Sequence, residues 1–167
     1  SIYNFRKELI ESLLIDHNNI YLAGKLDESH KKFLKEFVNI NYLNLNIEPR
    51  GINLIKELIL IFKLYRDCKR EKFDLILNFT IKPCLYGSIV GNLLKIKTVN
   101  TITGLGRMFS DENKFKFIFI FLYKIFLKKA SLTIFQNDSD KKFFFDNKIL
   151  NNSNKYKLVK GSGVNLN

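Results

Sequence analysis

Few side chains in this sequence are of a type and spacing that could make or break a covalent bond. His17 and His30 stand alone, with no cysteine or carboxylate at ligand spacing, so zinc is not expected. No nucleophile elbow, Walker loop or dinucleotide fingerprint occurs. Cys68 and Cys84 are too few for a disulfide scaffold and fall inside predicted helices, which makes packing their ordinary role and a reducing cytosol the expected compartment. What remains is a set of polar and glycine-bearing turns that could hold a ligand through hydrogen bonds. They are Thr80-Ile81-Lys82-Pro83, Thr103-Gly104-Leu105-Gly106, Asn137-Asp138-Ser139-Asp140 and Gly161-Ser162-Gly163. Glycines on either side of a serine permit positive φ and close approach by another backbone. Thr-Gly-Leu-Gly alone reads as a tight turn, and its meaning depends on the elements around it.

Each of these turns follows a stretch that reads as a strand. Residues 73–79, FDLILNF, are an apolar run without helical period, as expected of a strand buried on both faces of a parallel sheet. Pro83, with its fixed φ and missing N–H, suits the first turn of a helix running through Tyr86, Ile89 and Leu93. Residues 97–102 form the next strand. A strand, helix and strand in so few residues make a right-handed crossover, so the turns after Phe79 and Ile102 open at one carboxyl edge, where open α/β sheets bind ligands. Residues 131–136 are a further strand, and the Asn137 cluster caps a helix over 141–147. Residues 156–159 are the last strand, and the glycine-serine loop after them reads as a hinge with something expected beyond it.

The amino-terminal part builds up to this region. Residues 1–15 are an amphipathic helix with Ile2, Phe5, Leu9, Ile10, Leu13 and Leu14 on one face. A doubly wound domain ordinarily starts with a strand, so the first strand is expected to be missing here. A strand over 19–23 leads to a helix opened by Asp27-Glu28-Ser29 that carries Phe33, Leu34 and Phe37. Residues 39–45 alternate as a half-exposed edge strand, and Glu48-Pro49-Arg50-Gly51 is a turn. From Asn53 as N-cap a long helix runs to about Lys72, with Leu54, Leu58, Ile61, Phe62 and Tyr65 expected inward. Arg66, Lys69, Arg70 and Lys72 stand at its negative end.

Residues 115–129, FKFIFIFLYKIFLKK, are apolar nearly all round and flanked by lysines. Their continuous apolar run is far short of the roughly 20 residues that a spanning helix needs. Either the segment is a helix buried between the sheet and a neighbour, or it lies on a bilayer with Lys114, Lys116, Lys124, Lys128 and Lys129 near headgroups.

A chain of 167 residues, 46% apolar and 26% charged, can bury one core. The expected fold is α/β: a single Rossmann-like domain over 1–167, a parallel sheet with helices on both faces. The net charge of +12, from 28 basic and 16 acidic residues, favours an anionic partner: nucleic acid, acidic lipid or a phosphorylated substrate. The even spread of lysines argues against nucleic acid, and codon bias explains the abundance of Lys, Asn, Ile and Phe equally well.

Five stretches occur here in order: Tyr3-Asn4-Phe5-Arg6, Thr80-Ile81-Lys82-Pro83, Asn100-Thr101-Ile102-Thr103-Gly104-Leu105-Gly106, Phe135-Gln136-Asn137-Asp138 and Gly161-Ser162-Gly163-Val164-Asn165. Together they resemble the amino-terminal domain of family 4 (group 1) glycosyltransferases, above all bacterial enzymes that extend lipid-linked oligosaccharides, capsules or lipopolysaccharide. The resemblance covers essentially the whole chain. It implies the first half of a GT-B fold, with the acceptor mainly on this domain and the nucleotide sugar mainly on a second one that lies outside the sequence, so that this chain alone would not turn over. It also implies a retaining transfer of a hexosyl or N-acetylhexosaminyl group from a UDP-linked donor. Neither cofactor nor metal is implied, because basic side chains and helix amino ends meet the departing diphosphate.

The substrate-binding residues that the resemblance implies are Asn4, Arg6, Thr80, Lys82, Thr103, Gly104, Gly106, Asn137, Gly161, Ser162 and Gly163. Arg6 would meet a phosphate in bidentate fashion, or else pair with Glu8 or Glu11 on the surface. Lys82 would meet the acceptor diphosphate, or else be solvated. Thr103 stands near where many relatives hold a histidine, and its hydroxyl suits positioning rather than proton transfer. The implied setting is the cytoplasm, with peripheral contact to the inner membrane face through 114–129. Two alternatives stand beside this: an epimerase-like GT-B protein, for which the acidic and histidine residues are lacking, and a basic, non-catalytic Rossmann-like binding module.

Overall fold

The computed structural model describes residues 2–16, 19–25, 28–37, 40–47, 53–110, 112–159 and 161. The chain forms two compact units, Ser1–Glu48 with Val164–Asn167, and Pro49–Gly163. The expected turn over 48–51, His17, Ser162 and Gly163 lie outside the described residues.

The first unit contains α1 (Ile2–Ile15), β1 (Ile20–Gly24), α2 (Glu28–Glu36) and β2 (Ile40–Asn44). β1 and β2 pair in parallel, with Ile20 opposite Ile40 and Gly24 opposite Asn44. Their apolar residues meet α1 in a small core of Ile10, Leu22 and Ile40, with Leu14, Leu34 and Phe37 packed against it. Lys7 of α1 reaches Glu36 of α2 at 2.5 Å, and the Tyr42 hydroxyl donates to the Gly24 carbonyl at the end of the strand pair.

The second unit contains α3 (Leu54–Glu71), β3 (Leu75–Phe79), α4 (Ile81–Leu94), β4 (Lys97–Ile102), α5 (Lys116–Phe126), β5 (Leu132–Phe135), α6 (Asp138–Asp146) and β6 (Tyr156–Leu158). The four strands lie side by side in chain order, all parallel. Asn78 and Asn100 face each other across the β3–β4 ladder. The Asn78 amide donates to the Asn100 side-chain oxygen at 2.9 Å, and Asn100 donates to Ser88 Oγ of α4 at 2.9 Å. Buried amides are tolerated only when paired, so this chain of bonds pins the register: a slip of one residue would leave both unpaired.

Small residues let α4 approach the sheet this closely. A Cβ on Gly87 would lie 2.0 Å from Asn78 Oδ1, and one on Gly91 would lie 2.3 Å from Thr98 Cγ2. Tyr123 of α5 is fully buried and its hydroxyl donates to the Ile81 carbonyl. Phe144 of α6 lies 5.6 Å from Tyr123 and 5.3 Å from Phe135, ring centre to ring centre. Phe135 pairs with Ile102 and so shares the face of Asn100. α4, α5 and α6 therefore cover one and the same face, as right-handed crossovers between strands in sequential order require.

Two expectations change. The row Leu54, Leu58 and Phe62 of α3 is exposed, whereas Leu60, Asp67 and Cys68 are buried. The helix is apolar on both sides, and its contact with α4 is made through Glu57, which sequence periodicity cannot anticipate. α6 starts at Asp138 rather than near 141, because Asn137 itself is the cap and the acidic residues after it form the first turn. Among the described residues no helix is long and apolar enough to cross a membrane.

Candidate active site at the carboxyl edge of the sheet

Four parallel strands bring the segments after Phe79, Ile102, Phe135 and Leu158 to one edge. The first of these turns from strand to helix in a single residue. The Thr80 amide donates to the Thr101 carbonyl at 3.1 Å, while its own carbonyl accepts from the Cys84 amide at 3.1 Å. This forces φ 69° and ψ 166°. Such a conformation is close to glycine-only, and a β-branched residue there stores about 1–3 kcal/mol of strain. The other non-glycine residues with positive φ, Lys72 and Lys95 among them, stand at helix carboxyl ends, where the left-handed region is far easier to occupy. Thr80 is exposed and its hydroxyl makes no capping bond.

Beside it, the 103–106 loop is anchored at both ends. Ile102 is fully buried on one side, and Met108 and Phe109 are buried on the other, in a short 3₁₀ turn over Gly106–Phe109. Phe109 lies 5.4 Å from Tyr123 and 5.0 Å from Phe143. Between these anchors Gly104 takes φ 148° and Gly106 φ 57°, and a Cβ on either would meet nothing within 4 Å. Backbone conformation, not crowding, demands glycine here, and the loop leaves its main chain open. Thr103 is half-buried.

Asn137 accepts from the Asp140 amide at 2.7 Å and donates to the Asp140 carboxylate at 2.9 Å, so its side chain caps α6. Val159 donates to the Phe135 carbonyl at 2.8 Å, which holds the segment leading to the exposed Gly161, at φ 76°, beside β5. Thr80, Lys82, Thr103, Gly104, Gly106, Asn137 and Gly161 thus belong to one edge of one unit. Asn4 and Arg6 belong to α1 of the other; Arg6 is half-buried, and desolvation pulls its guanidinium below the usual range.

Lys82 is neither solvated nor turned to the open edge. Its ammonium lies 2.5 Å from Glu57 Oε1, with both side chains largely buried, and the Tyr86 hydroxyl donates to Glu57 Oε2 at 2.6 Å. Burial, and then the Glu57 carboxylate, push the Tyr86 phenol well above its ordinary value. Glu57 escaped sequence reading because it meets Lys82 only through tertiary packing of α3 on α4; the single local signal is the Asn53 cap, which accepts from the Lys56 amide at 3.1 Å. The Cys84 thiol is enclosed near the carbonyls of Asn78 and Thr101, and burial pushes it far up; burial likewise pushes Cys68 up to about 12. Both are packing residues, not nucleophiles.

Among the described residues no three His, Cys, Asp or Glu side chains converge as a metal site would need. A shallow cleft of about 240 Å³ lies at the opposite, amino edge, lined by Lys95, Lys97, Thr98, Lys129 and Ser131 among others. It shares no residue with the turns that gather at the carboxyl edge.

The chain is similar to known proteins in sequence and in fold. The glycosyl transferase 4-like family matches residues 4–137. A relative of Campylobacter jejuni, N,N'-diacetylbacillosaminyl-diphospho-undecaprenol alpha-1,3-N-acetylgalactosaminyltransferase, is 26% identical over 171 residues, which are 99% of this chain and 44% of that protein. MurG of Acinetobacter baumannii is similar in structure with a TM-score of 0.61 at 13% identity, over 98% of this chain and 42% of its own. HepE of Anabaena, solved in complex with UDP and glucose, gives 0.60 at 16% identity over 96% and 41%. At such identities the two structures speak for the fold alone, and the chain spans less than half the length of the Campylobacter relative. By its sequence match and its fold, the chain belongs to the glycosyl transferase 4-like family, as an amino-terminal GT-B domain.

Proposed function

We propose that this chain is the acceptor-side domain of a retaining glycosyltransferase that moves a sugar from a UDP-linked donor to a lipid-linked acceptor in bacterial surface-glycan synthesis. The observation that carries the reading is the turn after β3, tied by the Thr80–Thr101 bond to the end of β4, from which the 103–106 turn leaves at the same edge, in a chain of this family. The names of the Campylobacter relative and of HepE supply the substrate classes: an undecaprenyl diphosphate-linked acceptor and a uridine nucleotide.

On this reading the open backbone of Gly104 and Gly106 admits the acceptor sugar closely, and the Thr103 hydroxyl orients it by hydrogen bonding. A hydroxyl is a poor base near neutral pH, so proton transfer falls to other groups. The nucleotide is held by a second domain beyond this sequence, and the enzyme works as a peripheral protein at the inner membrane face. The direct test is to incubate the full-length protein with a panel of UDP-sugars and a polyprenyl diphosphate-linked glycan, then read the product by mass spectrometry and the new anomeric linkage by NMR. One added sugar with the donor's anomeric configuration is expected. Transfer with inversion, or tight duplex DNA binding with no transfer, overturns the reading.

A further inference from the structure

Thr80 holds a backbone shape that costs free energy, and the residues around it are fastened one after another. Asn78 is bonded to Asn100 of β4, the Thr80 amide donates to the Thr101 carbonyl, and the Ile81 carbonyl accepts from the Tyr123 hydroxyl of α5. A strained residue persists only where its surroundings over-determine it, so these ties together keep the turn in place. All of them join neutral groups. The next one does not: Lys82 is fastened to α3 by an ion pair with Glu57, the two side chains being 9% and 13% exposed.

Stability alone does not account for charges there. Drawing a carboxylate and an ammonium out of water offsets much of their attraction, and a packed apolar pair in the same place is often as stable or more so. What an apolar pair lacks is direction. Glu57 accepts from the Lys82 ammonium at 2.5 Å with one oxygen and from the Tyr86 hydroxyl at 2.6 Å with the other. Lys82 and Tyr86 stand four residues apart, hence one above the other on a single face of α4. One carboxylate thereby grips successive turns of α4 and resists both its rotation and its sliding. Glu57 is itself held, since its amide donates to the Asn53 carbonyl at 2.9 Å in the turn that Asn53 caps.

We infer that Glu57 is a positioning residue of the carboxyl-edge site: its grip on Lys82 and Tyr86 sets the first turn of α4 and so holds Thr80, in its strained form, against the end of β4 from which the 103–106 loop leaves. The consequence for acceptor use rests on the transferase reading, whereas the hold on the turn does not. The deciding variant exchanges the pair for apolar residues, Glu57→Leu/Lys82→Met, in the full-length protein. Its urea midpoint should match or exceed that of the wild type. Hydrogen exchange followed by NMR should nevertheless quicken about tenfold or more at the Thr80 and Cys84 amides, which close the turn, and stay within about twofold at the Thr133 amide, bonded to Lys155 at the other edge of the sheet. In the transfer assay the KM for the acceptor should rise about tenfold or more, with that for the UDP-sugar within about twofold. On a Thr80→Gly background, where no Cβ makes the conformation costly, the same exchange of the pair should alter the turn amides by no more than about twofold.

Unchanged exchange at both turn amides overturns the inference, as does equal quickening with and without Thr80→Gly. Faster exchange with both KM values unchanged would make Glu57 a structural residue only. An acceptor KM raised by Lys82→Met and untouched by Glu57→Leu would make Lys82 a direct contact and equally refute the positioning role. Should the apolar pair fail to fold, Tyr86→Phe takes one of the two bonds from Glu57 and leaves the ion pair, and the same measurements should then move about threefold. Faster exchange at the turn in a protein whose wild type transfers no sugar would count against the transferase reading and leave the hold on Thr80 standing.

Discussion

Helices α4 and α5 touch each other on the same face of the sheet, and both are apolar, yet they are buried in different ways. α4 is enclosed on nearly every side: nine of its residues, from Ile81 to Gly91, are buried, Lys82 and Ser88 among them. α5 has the more hydrophobic sequence, IFIFLYKIF against YGSIVGNLL, but only Phe119, Ile120 and Tyr123 are buried within it. The difference lies in the small residues. Gly87, Ser88 and Gly91 let α4 settle onto Asn78, Asn100 and Thr98, whereas the bulky inner row of α5 meets its neighbours with Tyr123 and Phe119. Mean apolarity therefore says little about how many sides of a helix are covered. Small residues at i, i+1 and i+4 opposite a strand say much more.

The sharpest way to break this contrast is Gly87→Ala. Its Cβ would overlap the Asn78 amide, which is held in turn by Asn100 and Ser88, so nothing flexible can give way. A loss of about 3 kcal/mol or more is expected from overpacking together with a broken buried bond, measured by urea unfolding. A loss under about 1 kcal/mol would show that α4 does not rest on the sheet as described.

Glu57→Ala comes next. It strips the carboxylate from a largely buried ammonium and phenol at once, and leaving one charge of a buried pair alone costs about 3 kcal/mol. The signature is non-additivity: adding Lys82→Met to Glu57→Ala should recover part of that loss, since the orphaned charge disappears. Simple addition of the two single effects would mean that Lys82 finds solvent without Glu57.

How much of this was legible beforehand depends on whether the cause was local. The strand–turn–helix alternation, the parallel crossovers and the Asn53 cap follow from period, β-branched runs and turn residues within a few positions of one another. So does the shared edge of Thr80 and Thr103, because handedness leaves one way to connect consecutive parallel strands. The inward face of α3 was not legible, since Glu57 turns inward only because Lys82 and Tyr86 wait on α4, 25 and 29 residues away. Nor was the strain at Thr80. Nothing in Asn-Phe-Thr-Ile says that strand must become helix in one residue; that follows from the Thr101 carbonyl holding the Thr80 amide while Cys84 already begins the helix. The division of α5 into an inner and an outer row needed the sheet to choose a side, and of the two readings that sequence offers, burial against the sheet describes only the inner row.

The smallest expected effects test that division from both sides of one helix. Tyr123→Phe removes only the hydroxyl that donates to the Ile81 carbonyl in a fully enclosed site, which should cost about 1–2 kcal/mol, since a buried acceptor loses its partner. Phe121→Ser, two residues earlier and chemically far more drastic, should change stability by no more than about 0.5 kcal/mol, because the ring it removes already lies against water. Substitution scales would rank the pair the other way round, so the order of the two unfolding midpoints decides between helix-average hydrophobicity and the face that the sheet selects. A Phe121→Ser protein that unfolds more easily than Tyr123→Phe would mean that the outer row is covered within the free protein. The outer row would then belong to the core.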